Sequence, residues 1–197
     1  MNNLNIIKII VAVIIVGGVG LFAAANIRNN QLNNINSIAQ SAQSNNTSPT
    51  VSPTDAIGIN IGDKAPDFSF KTIEGQEVSL SSFKGQPVLF AFALTEGCAA
   101  CIIEARAVRE AQQQIPFKVI QLAISPYETV ESLQYFQNAY GASDWLVGFD
   151  EDNKISNQYK VKAVDTTYIV DANGKIIYRD DGYPADVETI VNVLKKL

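Results

Sequence analysis

The residues able to do chemistry in this chain are few. Cys98 and Cys101 are its only cysteines, and its 197 residues include no histidine. That removes Ser-His-Asp and Cys-His catalysis, imidazole acid–base work and histidine metal ligands. Two cysteines cannot close a four-ligand zinc site alone, so the sequence calls for neither a metal nor a cofactor. Cysteine thiols, carboxylates, Lys, Tyr and Ser or Thr remain as the groups able to do chemistry. In Cys98-Ala99-Ala100-Cys101 the second sulfur lies one helical turn beyond the first, close enough to attack a mixed disulfide formed there. A thiol at a helix N-terminus gains from free amides and the macrodipole, whereas nearby Glu96 works against its thiolate. The same spacing fits a structural disulfide, although so short a loop gains little stability, or two unrelated buried thiols.

The elements around the pair set this chemistry. Pro87 to Leu94 is a continuous apolar run, as expected of a strand buried on both faces. It passes through Thr95-Glu96-Gly97 into a helix expected over 101–114, with Ile103, Ala107 and Ala111 on its inner face and Ile115-Pro116 as its stop. Phe68 to Phe70 and Val78 to Leu80 read as a hairpin across Glu74-Gly75, and Phe117 to Ile124 as a second buried strand. Glu128 to Tyr140 carries Val130, Leu133, Phe136 and Tyr140 at helical spacing before Gly141. Thr167 to Val170 and Lys175 to Tyr178 flank the turn Asp171-Ala-Asn-Gly174, and a last helix presents Val187, Ile190, Val191, Leu194 and Leu197. The order β-β-β-α-β-α-β-β-α predicts an α/β sandwich around a central mixed sheet. Of the aromatic residues, Trp145, Tyr127 and Tyr183 fit either a partner groove or ordinary packing.

The first 54 residues have different physics. All 20 acids lie at or after Asp55, and only Lys8 and Arg28 of the 15 bases precede it. Ile9 to Ala25 holds only apolar residues and glycine. A helix over 6–25 spans about 30 Å, one hydrocarbon thickness, with Lys8 near its end to snorkel. This predicts a cytoplasmic tip at 1–5, a single-pass signal-anchor at 6–25, an Asn/Gln/Ser/Thr-rich disordered linker at 26–58 and a folded domain at 59–197. A cleaved signal ending at Ala23-Ala24-Ala25 is the competing reading. Asn45-Asn-Thr and Asn46-Thr-Ser are glycosylation-type sequons that fit an extracytoplasmic linker. The net charge of −5 argues against nucleic acid as a partner.

The segment Gly62-Asp-Lys-Ala-Pro-Asp-Phe68, followed by Gly75, Val78-Ser-Leu80 and Phe83-Lys-Gly85, resembles the entry region of thioredoxin-fold redoxins. Tyr159 to Lys175 continues the likeness, which is greatest to membrane-anchored TlpA/ResA-type thiol–disulfide oxidoreductases with an AhpC/TSA-like redoxin domain. The resemblance implies a thioredoxin-like three-layer sandwich on the extracytoplasmic side of the cell membrane. It implies dithiol–disulfide exchange with protein substrates, and a membrane electron donor or acceptor. Cys98 would attack, Cys101 resolve, and Glu104 match an active-site acid of some members; a solvated helix carboxylate is the alternative for Glu104. The loop Val164-Asp165-Thr166 corresponds to the family's substrate-docking loop.

Three departures stand out. Gly97 replaces the usual tryptophan. Ala91 lies near where thioredoxins keep a buried proton-transfer aspartate. Asp165 stands where the family has a cis-proline, and because non-proline cis bonds cost roughly 2.5–4 kcal/mol, a trans path is expected there. Asp165 would repel a Cys98 thiolate, or else simply turn the chain before the strand. Thr95-Glu-Gly-Cys98 also resembles the peroxiredoxin Thr-x-x-Cys, which would make Cys98 peroxidatic, but the expected arginine is replaced by Asp165. A Sco-like thiolate metal chaperone, the third reading, lacks that family's histidine.

Overall fold

A computed structural model of the chain describes residues 56–197. The expected tip, signal-anchor and nearly all of the linker lie outside those residues. Among the described residues, no helix is long and apolar enough to cross a membrane. Ala56 and Gly58, placed in the linker by sequence, already pair with Lys64: Lys64 N donates to Ala56 O at 2.9 Å, and Gly58 N donates to Lys64 O at 3.0 Å.

The expected α/β sandwich is present. A five-stranded sheet runs β5-β4-β3-β6-β7. Its strands are β3 (Val88–Ala93), β4 (Lys118–Ala123), β5 (Leu146–Phe149), β6 (Thr166–Val170) and β7 (Ile176–Asp181). β3, β4 and β5 are parallel, whereas β6 and β7 are antiparallel to their neighbours. The helices are α1 (Ala99–Gln112), α2 (Val130–Ala139), α3 (Lys154–Gln158) and α4 (Val187–Leu194). A separate hairpin pairs β1 (Ser69–Lys71) with β2 (Glu77–Ser79).

Central β3 is buried at every position, and its pleat divides the core. Leu89 and Ala91 face a cluster with Val108, Ala111, Leu133, Phe136 and Ile190 from α1, α2 and α4. Val88, Phe90 and Phe92 face the other side, with Phe68, Phe70, Tyr159 and Tyr168. There Phe90 stacks on Tyr168 at 5.0 Å between ring centroids and meets Tyr159 edge-on at 5.2 Å. Aromatic pairs of this kind add stabilisation beyond their buried area.

Three sequence expectations are corrected. The expected element order omits β5, whose four residues carry too little pattern to read as a strand. The backbone closes tightly there: a Cβ on Gly148 would lie 2.4 Å from Lys71 O, so only glycine fits. The order also omits α3, a five-residue helix whose first amides are held by a side chain, Asp150, which accepts from Ile155 N at 2.7 Å and Ser156 N at 2.8 Å. The inner face of α1 is Cys101, Glu104, Ala105, Ala107, Val108 and Ala111, while Ile103 is 57% exposed. The helix also begins at Ala99 and ends at Gln112, slightly ahead of the sequence expectation.

Candidate active site

β3 ends at Ala93, and the chain turns through Leu94 to Gly97 into α1. Cys98 is the N-cap of that helix, and its Sγ accepts from Cys101 N at 3.1 Å. Cys98 and Cys101 form a disulfide, with Cα atoms 5.3 Å apart. Both are buried, Cys101 more deeply at 3% exposed against 7% for Cys98. Gly97 has φ of +71°, a conformation that strains any larger side chain; the tryptophan of related loops does not suit this backbone.

The turn is tethered from the loop that leads into α2. Glu128 accepts from Thr95 N at 2.6 Å and from Ser132 Oγ at 2.6 Å, and Thr95 Oγ1 donates to the same carboxylate. Partial burial works against ionisation of Glu128, but the bonds from Ser132 and Thr95 prevail and hold its pKa below the usual carboxylate range. Glu128→Ala removes the tether and leaves the Thr95 amide unpaired. The expected loss is about 2 kcal/mol, read as a lower Tm together with faster hydrogen exchange at Thr95. An unchanged exchange rate would show that the turn holds itself.

Beneath the disulfide, Glu104 points inward and is 2% exposed. It is not a solvated helix carboxylate. Thr167 Oγ1 donates to its Oε2 at 2.8 Å, and Ala185 N donates to its Oε1 at 3.3 Å. Burial pushes its pKa up to about 9, with the neighbouring Asp165 carboxyl adding to the rise and the bonds from Thr167 and Ala185 opposing it.

Asp165 is 1% exposed. Burial raises its pKa, the Glu104 carboxyl beside it acts in the opposite direction, and Asp180 adds to the rise. The two carboxyls lie in hydrogen-bonding contact with each other, one proton serving both, and neither Asp165 oxygen has any other donor. The backbone explains why proline is absent here. Asp165 has φ of +65°, and its amide donates to Phe92 O at 2.8 Å. Proline fixes φ near −65° and has no N–H to give. The path through Val164–Asp165 is trans, as expected, and no cis peptide occurs among the described residues.

The loop residues expected to meet substrate diverge in position. Val164 reaches the surface, whereas Asp165 and Thr166 are buried, the latter donating from Oγ1 to Ala163 O at 2.7 Å. Of the three aromatic residues, Trp145 is core and donates from Nε1 to Gln112 Oε1 at 2.6 Å, while Tyr127 and Tyr183 are exposed.

Sequence reading missed Gln121, Thr167 and Glu128. Gln121 carries a signal, because it is a lone polar residue inside an apolar buried strand. Across the sheet Gln121 pairs in register with Ala91, Ala91 with Thr167, and Thr167 with Asp180. A row from β4 to β7 is therefore polar except at Ala91, and it ends against apolar Val147 of β5.

A family model described as AhpC/TSA matches residues 61–179. The chain belongs to the AhpC/TSA family. Among curated relatives of this AhpC/TSA chain is the thiol–disulfide oxidoreductase ResA of Bacillus thuringiensis, 29% identical over 140 residues, covering 71% of this chain and 79% of ResA. Another, bcp of Coxiella burnetii, carries a peroxiredoxin name; it is 30% identical over 149 residues, covering 66% of this chain and 97% of bcp. Among solved structures, the thioredoxin domain of a Bacteroides vulgatus thiol–disulfide oxidoreductase superposes with a TM-score of 0.60 at 21% identity, covering 71% of this chain and 98% of that domain. The fold is thioredoxin-like, and this AhpC/TSA protein is a thiol–disulfide oxidoreductase.

Proposed function

We propose that this chain is a membrane-anchored oxidoreductase that exchanges disulfides with extracytoplasmic protein substrates through Cys98 and Cys101. The observation that carries the reading is the disulfide at the N-terminus of α1, with Cys98 as the cap. When the bond opens, a Cys98 thiolate sits on free helix amides, and Cys101 lies in reach to resolve a mixed disulfide. Exposed Val164 and the backbone of its loop form the substrate-facing edge. The apolar stretch 6–25 and the Asn/Gln/Ser/Thr-rich linker supply the anchor and the reach. Outside the cytosol no soluble thiol pool regenerates a dithiol, so a membrane donor or acceptor is the redox partner.

Peroxide reduction needs an arginine at the reacting oxygens. Among the described residues the arginines are engaged elsewhere: Arg106 over the Tyr140 ring, Arg109 with Asp144, and Arg179 with Asp181. Asp165 stands where that arginine would be, and Thr95 is committed to Glu128. A two-thiolate metal site is not reinforced either, since no cluster of three metal-binding side chains occurs among the described residues.

A thiol-trapping titration of the full chain in glutathione buffers tests the reading. One reversible two-electron couple, lost on substitution of either cysteine, is expected. Absence of that couple would refute exchange, and rapid peroxide consumption with sulfenic acid at Cys98 would replace it with peroxidase activity. Resistance of the chain to alkaline extraction from membranes tests the anchor, and release as a shortened soluble form would refute it.

A further inference from the structure

Tyr127 and Tyr183 are accounted for neither by the fold nor by the reaction. Tyr127 is 90% exposed and Tyr183 77%. The interior tyrosines place their hydroxyls on protein acceptors: Tyr159 OH donates to Pro66 O, and Tyr168 OH to Tyr159 O at 3.2 Å. A lone exposed aromatic residue needs no explanation. These two differ because their backbones are pinned while their rings are uncovered. Tyr127 N donates to Ser125 Oγ at 3.1 Å. Pro126 precedes it, with φ fixed by its ring, and Glu128 follows, bonded to Thr95 and Ser132. Tyr183 N donates to Asp180 Oδ1 at 2.8 Å. Pro184 follows it, and Ala185 N donates to Glu104.

The sheet sets them on opposite sides of Cys98. Tyr127 follows β4 and Tyr183 follows β7, and the strands run β4-β3-β6-β7 between them. β3 and β4 are parallel. β7 is antiparallel to β6, as β6 is to β3, so it ends at the same edge. Cys98 follows β3 at that edge. On the β4 side, Glu128 next to Tyr127 accepts from the amide of Thr95, three residues before Cys98, at 2.6 Å. On the β7 side, a Cβ on Gly182 would lie 2.9 Å from Ala163 Cβ and 3.5 Å from Val164 O, so the loop of Tyr183 touches the loop of Val164. Three strand spacings separate β4 from β7, roughly 14 Å. An extended chain crosses that width with about four residues.

We propose that Tyr127 and Tyr183 are specificity-determining contacts of this site, and that its substrate is an extended protein segment with apolar side chains on both sides of the reactive cysteine. The inference rests on the exchange reaction proposed above and names its substrate class. Gly97 leaves the position beside Cys98 without a side chain, so the aromatic surface comes from the two flanking loops instead. Tyrosine suits a position that is wet when free and covered when bound. Its ring gives a large contact area with few torsions to order, and its hydroxyl stays hydrated in the free protein. Pinned backbones reduce the ordering lost on binding. A small disulfide reacts at Cys98 without spanning both rings, whereas a segment of about four extended residues meets both. The two tyrosines therefore favour a cysteine in an unfolded or locally extended chain.

The reduced full chain is mixed with short peptides whose single cysteine carries nitrothiobenzoate as a mixed disulfide. Cys98 attacks the peptide sulfur and nitrothiobenzoate leaves; Cys101 then attacks Cys98 Sγ, and the peptide leaves as a thiol. The dithiol is oxidised and the peptide disulfide reduced. One peptide has Leu and Phe on both sides of its cysteine, the other Ser and Gly, and each rate of nitrothiobenzoate release is taken relative to that of free cysteine with the same peptide. The unmodified chain is expected to favour the apolar peptide by about tenfold or more. Tyr127→Ser and Tyr183→Ser should each lower that preference severalfold, and the double variant should bring the two rates within about twofold. Tyr135, 74% exposed in the middle of α2, provides the control: Tyr135→Ser removes as much surface ring and should keep the full preference. Equal rates on the two peptides in the unmodified chain would overturn the proposal, without any variant being needed. So would a preference that survives in the double variant, or one that Tyr135→Ser loses equally. Failure of the exchange reading itself would look different, since neither peptide would then be released as a thiol.

Discussion

Cys101→Ser is expected to leave Cys98 locked to its substrate. Exchange through this site needs two sulfurs in sequence: one to open the substrate disulfide and one to free the product. Cys98 is the one at the helix cap, where the amide of Cys101 already points at its sulfur from 3.1 Å. Cys101 is the more deeply buried and lines the cavity behind the bond. A serine hydroxyl in its place is a poor nucleophile toward sulfur, so the mixed disulfide persists. Turnover with a disulfide substrate should fall on the order of 10³-fold or more, the scale on which a missing nucleophile registers. Non-reducing electrophoresis should show a stable adduct that dithiothreitol releases. Cys98→Ser should lose as much activity and form no adduct. Near-normal turnover by Cys101→Ser, with free thiols supplied, would mean that a single cysteine suffices, and the oxidoreductase reading would give way to a one-cysteine peroxidase.

Much of this site was legible because its signals are local. A continuous apolar run marks a strand buried on both faces, and the six residues of β3 are all buried. The cysteine spacing then places both sulfurs on the first turn of the helix that follows. The turn Asp171 to Gly174 marks the β6–β7 hairpin through its own backbone chemistry, with Asp171 Oδ1 accepting from Asn173 N and Lys175 N at 2.8 Å. The last helix declares itself by apolar periodicity. Each feature needs only a handful of neighbouring residues to be recognised.

What was not legible depends on partners far away in the chain. The family resemblance marks Glu104 as a candidate active-site acid, but the helix pattern alone leaves it equally readable as a solvated carboxylate and puts Ile103 on the buried face. The true phase of α1 is fixed by partners elsewhere: Thr167 Oγ1 and Ala185 N meet Glu104 in the interior, and Ile103 is left outside. Asp165 was recognised as a departure from the family loop, but its surroundings were not. Its inward position follows from the left-handed φ and the bond from its amide to Phe92 O, neither of which is written in the local sequence. β5 was missed for the same reason. Four residues carry little pattern, and the requirement for glycine at Gly148 comes from Lys71 and Phe70 of the hairpin.

The burial of Glu104 gives the second large expectation, a stability that falls as pH rises. Its carboxyl goes from an ordinary value of 4.5 to about 9 on folding, chiefly through burial and then through Asp165. Between those values the folded chain keeps a proton that the unfolded chain has released. The unfolded state therefore binds fewer protons, and the slope of unfolding free energy against pH is negative. The contribution is fully present below pH 4.5 and is lost as pH rises through 9, at up to ~1 kcal/mol per pH unit. Glu128 and Asp186, whose pKa values are lowered in the fold, act in the opposite sense at acid pH, so the Glu104 share is isolated by a variant rather than by the raw curve. Glu104→Gln keeps a carbonyl oxygen for Thr167 or Ala185 and removes the titration. Its Tm should exceed that of the unmodified oxidised chain by about 5 °C or more at pH 8, and the advantage should vanish near pH 5. A constant Tm difference across that range would show that Glu104 is ionised in the fold. In that case Asp165, its closest electrostatic partner, would have to be the carboxyl that stays neutral.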